Sequence, residues 1–286
     1  PAASARESAP PLAAAAQRLS PFLGRERELA LLGERLRLCR AGRGQVLGIA
    51  GEPGVGKSRL LSEFRESPAA REVDYVEGRC VSNGSSIPYL PILDLLRRDW
   101  RITDGDTPSG IEAKLRLRLD DLGMDPATTA PYLLWLLGVR NGADPISHLS
   151  PEALKRRAFN ALRGLLLERS RRGALILALE DLHWIDKASE EFLGFLMDAV
   201  SGASILFLAT YRPGYRPPWI DRSYVTQLAL PLLSTHDSTT VVRSLLSEEH
   251  VPDEVVGNIV ARADGNPFFL EQLARALAVD LGLGPP

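Results

Sequence analysis

The stretch from Gly51 to Ser58 reads GEPGVGKS and carries the clearest chemistry in the chain. Its pattern, G-x-x-x-x-G-K-[ST], is that of a phosphate-binding loop, and each residue type has a physical reason to be there. A triphosphate packs several negative charges into a small volume, so its site needs many donors and no bulky side chains in the way. Gly51, Gly54 and Gly56 clear the space and let backbone amides approach the oxygens as a concave nest. Pro53 stiffens the loop, and Val55 and Arg59 belong to the same contact stretch. The nest leads into a helix whose N-terminus carries partial positive charge. Lys57 would reach the beta and gamma phosphates as a point charge, and the Ser58 hydroxyl would be a magnesium ligand.

The flanks place this loop in the setting it requires. Gln45 to Ala50 (QVLGIA) reads as a short buried strand, and Lys57 to Glu66 (KSRLLSEFRE) has leucines and a phenylalanine at helical spacing. A second constellation lies in ALILALEDLHWID. Ala174 to Leu179 is an apolar run of strand length, as in a parallel strand covered on both faces, and it ends in Glu180 and Asp181. Carboxylates at the C-terminal end of such a strand lie where α/β sheets bind ligands. There they would hold magnesium and its waters opposite Ser58 and polarise an attacking water, which is a Walker B pattern; the plain alternative is a pair of acids closing a strand. A third candidate is Arg212, just past the strand Ser204 to Thr210, where a guanidinium would reach a gamma phosphate and tell ATP from ADP; the alternative is a solvated loop arginine. His183 and Trp184 fall in the turn after the acids, either touching nucleotide or simply forming the turn.

These groups must be positioned by elements that the periodicity outlines. Ahead of the first strand, FLGRE forms a compact turn, or simply a helix entry with a solvated arginine, and Leu29, Leu32 and Leu36 give an amphipathic helix ended by Gly42 and Gly44. Val73 to Gly78 is a second strand. Pro88 to Gly138 is helical and punctuated, with ILDLLRRDW, IEAKLRLRLDDLG and PYLLWLLGV as separate pieces, an inserted helical layer between two strands. Ser150 and Pro151 supply an N-cap and a first-turn proline for the long helix PEALKRRAFNALRGLLLERSRR. Its basic residues would suit a polyanion, or simply a solvated face with arginines at the favourable C-terminal end. Asp186 caps KASEEFLGFLMDAV, Val225 to Leu230 is a fifth strand, and the helices Ser234 to Leu246, Pro252 to Ala263 and Pro267 to Val279 follow.

Bulk properties narrow the partners. The chain has 286 residues and a net charge of -2, enough for a sizeable core and without the basic excess expected of a nucleic-acid or anionic-membrane binder. No apolar run approaches the roughly 18 residues of a membrane helix. Cys39 and Cys80 are far apart, without CxxC spacing, and read as reduced thiols of a cytoplasmic protein. Residues 1–19, rich in alanine, proline and serine, read as a flexible leader or linker, 20–231 as the nucleotide-binding core with a helical insertion about 88–150, 232–280 as a helical lid, and 281–286 as a tail.

FLGRE, GEPGVGKSRLL, LALEDLHWID, ATYRP and GNPFFLEQL, in that order, resemble the STAND branch of the AAA+-like P-loop ATPases. Within it they are similar to the bacterial regulatory ATPase domain often found in large LuxR-type activators and next to class III nucleotidyl cyclase domains. The resemblance spans Pro21 to Val279. It implies an α/β P-loop NTPase three-layer sandwich with a parallel five-stranded sheet, in which the strand after Walker B lies between the P-loop and Walker B strands, followed by a small helical lid. It also implies ATP or ADP with magnesium as ligands. Leu23, Gly24 and Arg25 match the turn near the adenine; Gly51, Gly56, Lys57 and Ser58 match Walker A. Glu180 and Asp181 match Walker B, Arg212 the sensor arginine, and Pro267 the lid proline that packs on the base. Glu180 stands where many relatives carry aspartate, so which acid serves magnesium and which the water stays open. Lys187 replaces a frequent proline.

The function so implied is a signalling switch: slow Mg-dependent ATP hydrolysis resets a module that regulates a fused or partner effector domain, with nucleotide-dependent homo-oligomers as a possible output. The alternative is a nucleotide-stabilised interaction scaffold with negligible turnover. Direct DNA binding finds no helix-turn-helix in the chain, and small-molecule kinase activity finds no acceptor site.

Overall fold

The computed structural model describes residues 20–139, 146–246 and 251–280. The leader 1–19, the tail 281–286 and part of the expected insertion, 140–145, lie outside the described residues. The chain divides into two compact units, Arg25–Pro231 and a second made from residues up to Gly24 and from Leu232 onward.

The larger unit is built on a parallel five-stranded sheet flanked by helices. Its strands are β1 (Gln45–Ala50), β2 (Asp74–Arg79), β3 (Leu175–Glu180), β4 (Ile205–Tyr211) and β5 (Val225–Ala229), in the spatial order β2-β3-β4-β1-β5. The central strands are buried on both faces, which is why LILALE and ILFLATY read as continuous apolar runs. The edge strands β2 and β5 are half-exposed and admit Glu77, Thr226 and Gln227. As the resemblance implied, the strand after the acidic pair, β4, lies between β1 and β3.

Helix α1 (Glu26–Arg40) precedes the sheet, and α2 (Lys57–Glu66) follows the glycine loop. The layer between β2 and β3 holds α3 (Leu90–Asp99), α4 (Pro108–Asp121), α5 (Pro126–Leu136) and α6 (Pro151–Arg172). Helix α5 departs from the sequence reading, which began this piece at Pro131. Asp125 caps it by accepting from the Ala127 amide at 2.9 Å, Pro126 takes the first turn, and Pro131 lies inside the helix. An interior proline removes a helical hydrogen bond, a cost that the burial of Leu133, Leu134 and Leu136 offsets. Helix α6 starts as its residues dictate, with the Ser150 hydroxyl accepting from the Ala153 amide. Helix α7 (Lys187–Val200) completes the unit. Its cap Asp186 is buried, accepting from the Ser189 amide and hydroxyl and from the Tyr89 amide, so one carboxylate ties the β2–α3 loop to the start of α7. Both cysteines are buried free thiols.

The smaller unit is helical: α8 (Thr235–Leu246), α9 (Asp253–Ala263) and α10 (Pro267–Asp280). They enclose their own core of Val242, Leu246, Val256, Leu270 and Ala274, with Leu23 packed against it. Asn266 accepts from the Phe268 amide at 3.1 Å and opens α10.

Candidate nucleotide-binding site

The loop Gly51–Gly56 leaves the sheet at the C-terminal end of β1, between β4 and β5. The Gly51 amide donates to Tyr211 at 3.2 Å, and the Leu230 amide donates to Ala50 at 2.7 Å. Two glycines are there for conformation. Gly54 and Gly56 have φ of +79° and +98°, a region costly for any residue with a Cβ. Gly51 is there for space, because a Cβ on it would lie 2.8 Å from the Val55 side chain. Val55 is buried, whereas Pro53 and Gly54 are exposed at the rim.

Gly56 is also the N-cap of α2 and provides no side-chain cap, and a Cβ built on it would meet nothing within 4 Å. The first-turn amides of α2 therefore face an open cradle at the positive end of the helix, the arrangement that receives phosphate. Lys57 is 8% exposed, and its ammonium donates to the Gly51 carbonyl at 2.8 Å and the Glu52 carbonyl at 3.0 Å. Burial pulls its pKa below the ordinary lysine value; Asp181 pushes it back up, and Arg212 lowers it further. A buried cation held only by neutral carbonyls and uncapped amides beside it fit a bound polyphosphate. Arg59 is turned to Glu63, with a 2.7 Å hydrogen bond one helical turn on.

The acidic pair reaches this cradle from β3. The Ser58 hydroxyl donates to the Glu180 carboxylate, so the expected magnesium ligand and the first acid of the pair meet directly. Asp181 adopts a left-handed conformation, φ +58°, which aspartate tolerates better than most residues, and it starts a single 3-10 turn, Leu182–Trp184. Its amide donates to the Thr210 hydroxyl at 3.0 Å, and its carboxylate accepts from Arg79 Nη2 at 3.1 Å and Nε at 3.3 Å. Among the described residues no group of three or more His, Cys, Asp or Glu forms a metal cluster. Magnesium fits nonetheless, because it takes one or two carboxylates and fills its octahedron with phosphate oxygens and waters.

Arg79 was absent from the sequence reading, and Thr210 entered it only as the end of a strand. Their signal lies in the register. The reading ended β2 at Gly78, but parallel pairing carries it one residue further and sets Arg79 directly across from Glu180. Thr210 is fully buried on β4, next to the strand that delivers the acids.

Arg212 is exposed, with its guanidinium 5.7 Å from the centre of the Trp184 ring, within cation–π range. The Trp184 and His183 rings are 5.0 Å apart. Both ring nitrogens of His183 are buried and lack a hydrogen-bond partner among the described residues, and a buried unpaired polar group costs about 1–3 kcal/mol. Burial, and then Arg212, push the His183 pKa down, so the ring is neutral near pH 7.

The FLGRE turn is divided between the units. Arg25 is buried, and its guanidinium donates to the Pro231 carbonyl at 2.6 Å and the Val55 carbonyl at 3.3 Å, with Glu28 at 3.4 Å. It clasps the phosphate loop to the end of the β5 segment. Leu23 and Gly24 belong to the smaller unit, where a Cβ on Gly24 would lie 2.6 Å from the Asp237 carboxylate. Pro267 is in that unit too, as the first residue of α10.

Comparison with known proteins follows the same lines. An uncharacterized protein of Rhizobium meliloti (strain 1021) is 30% identical over 259 residues, which cover 89% of this chain and 25% of that protein. The chain thus spans about a quarter of the length of that relative. A chain from the structure of Drosophila ORC bound to DNA has the same fold at 14% identity, with a TM-score of 0.53, covering 99% of this chain and 66% of that one. A STAND protein with a tetratricopeptide repeat sensor from Pyrococcus horikoshii aligns at 16% identity with a TM-score of 0.45, over 90% of this chain and 31% of its own. The model of the AAA ATPase domain matches residues 21–208, which take in β1, the phosphate loop, the acidic pair and β4 up to its last residues. With its glycine cradle, buried lysine and acidic strand end on one parallel sheet, this chain belongs to the AAA ATPase domain family.

Proposed function

We propose that this chain is the nucleotide-dependent switch module of a larger signalling ATPase of the STAND type, binding ATP with magnesium and hydrolysing it slowly. The observation that carries this reading is the meeting of Ser58 with Glu180 next in the chain to a buried Lys57, because a hydroxyl, a carboxylate and a buried ammonium are the donor set that a metal-bound polyphosphate needs. The order of the five sequence motifs supports the STAND type, and the quarter-length match to the rhizobial relative supports a larger parent protein. The output domain, of transcription-activator or nucleotidyl-cyclase type, and nucleotide-dependent self-assembly belong to the same proposal.

In this reading Lys57 and the α2 amides hold the beta and gamma phosphates, Ser58 and one acid of the 180–181 pair hold magnesium, and the other acid orients the attacking water. Magnesium supplies charge neutralisation across the phosphates. Arg212 leaves Trp184 for the gamma phosphate, a contact that ADP does not offer, so the two nucleotides bias a two-state equilibrium differently. The residues that the resemblance sets near the adenine are Arg25 in the larger unit and Leu23, Gly24 and Pro267 in the smaller. The module acts in the cytoplasm; among the described residues no helix is long and apolar enough to cross a membrane.

A second reading, a nucleotide-stabilised scaffold with negligible turnover, is favoured by one contact: Arg79 already occupies the Asp181 carboxylate that hydrolysis would use. One experiment tests both. Nucleotide affinity is measured by calorimetry and phosphate release by a coupled assay for wild type, Lys57→Ala and Asp181→Asn. The switch reading expects Lys57→Ala to lose binding and Asp181→Asn to bind while losing turnover by about 10²-fold or more. Unchanged binding in Lys57→Ala overturns the site, and wild-type binding with no phosphate release selects the scaffold.

A further inference from the structure

His183 sits at the centre of the 3-10 turn that begins at Asp181, and its ring nitrogens, both buried, meet no donor or acceptor among the described residues. Buried polar side chains nearly always find a partner, and a neutral imidazole offers both an N–H donor and an acceptor. A ring present only for packing would be served as well by leucine or phenylalanine, which leave nothing unpaired. Its surroundings say what it awaits. It packs on Trp184, whose face carries the Arg212 guanidinium, and Asp181 and Lys57 are the other charged groups acting on it. Those three charged residues stand just past the ends of β3 and β4 and at the start of α2, where the proposed function sets the gamma phosphate.

We propose that His183 is a specificity-determining residue for the triphosphate: its ring N–H donates to a gamma-phosphate oxygen once Arg212 leaves the Trp184 face. The inference rests on the proposed function and deepens it. In this structure the ring nitrogens are covered, so the contact forms only when the short 182–184 turn re-seats. His183 and Arg212 therefore read the same phosphate together, and ADP engages neither.

The test compares the affinity of the imido analogue of ATP, which is not hydrolysed, with that of ADP, both with magnesium, by calorimetry. His183→Ala is expected to weaken the analogue about tenfold, the scale of one hydrogen bond to a charged group, and to leave ADP within about twofold. His183→Gln, which keeps an N–H donor, should recover part of the loss, and His183→Ala in an Arg212→Ala background should cost less than alone. Equal losses for both nucleotides, or no loss, overturn the inference while wild-type binding leaves the proposed function standing. A wild-type protein that binds neither nucleotide overturns both. Melting without nucleotide completes the set: variants that melt far below wild type and bind neither nucleotide show a packing residue, and the inference falls.

Discussion

At the scale of single residues, the site pairs its groups with one another. Ser58 holds Glu180, Arg79 holds Asp181, and Lys57 holds loop carbonyls. Nucleotide binding is then an exchange of partners, and the competing partners should be separable. Arg79 is 56% exposed and Asp181 24%, so their pair contributes at most about 1 kcal/mol to stability. Because Arg79 competes for the carboxylate, Arg79→Ala is expected to raise Mg-ATP turnover several-fold while shifting the melting temperature by no more than a few degrees. A steady-state phosphate-release assay beside a thermal melt checks both halves; a fall in turnover would show that Arg79 supports the reaction instead of restraining it.

At the scale of elements, legibility in the sequence follows how much of an element's identity is local. The strand, glycine loop and helix from Gln45 to Glu66 carry periodicity, turn chemistry and motif together, and the sequence reading and the structure agree there residue for residue. Helix α5 was misread at its start because Pro131 looks like a first-turn residue, whereas the cap that decides the matter, Asp125, lies outside the apolar run. Arg79 and Thr210 were missed because strand register is a property of two segments far apart in the chain. Arg25 was read for its motif, and its clasp on Val55 and Pro231 needs the fold to be seen. One tie of this kind is announced by no motif. Arg169, on α6, is 13% exposed and holds Asp74 at the start of β2 and Asp99 at the end of α3, joining the helical layer to the sheet at the end remote from the phosphate loop. Arg169→Met strands Asp99, itself 14% exposed, and should cost on the order of 3 kcal/mol in a urea titration, with nucleotide affinity unchanged. A loss of affinity matching the loss of stability would mean that the two ends of the sheet are coupled.

At the scale of the whole molecule, the question is whether the basic helix α6 makes this a nucleic-acid binder, since the Drosophila ORC structure shares the fold. Of its seven cations, three pair with carboxylates of the larger unit. Lys155 pairs with Glu191, Arg171 with Glu168 and Arg169 with two aspartates, while Arg157 bonds the Tyr132 hydroxyl and Arg163 lies 4.1 Å from the Phe195 ring centre. What the sequence shows as a basic stripe is thus, in the fold, partly a set of ties to neighbouring residues, and the chain as a whole carries a net charge of -2. Binding to DNA draws its sequence-independent affinity from counterions released by free cations, so pairing three of these with acids lowers the gain. The expected result is no retardation of duplex DNA at about 200 mM salt, and at about 50 mM at most a weak shift that vanishes as salt rises. A shift that persists at the higher salt and is lost in Arg156→Ala with Arg172→Ala, two of the exposed arginines of α6, would overturn this and assign the helix to nucleic acid.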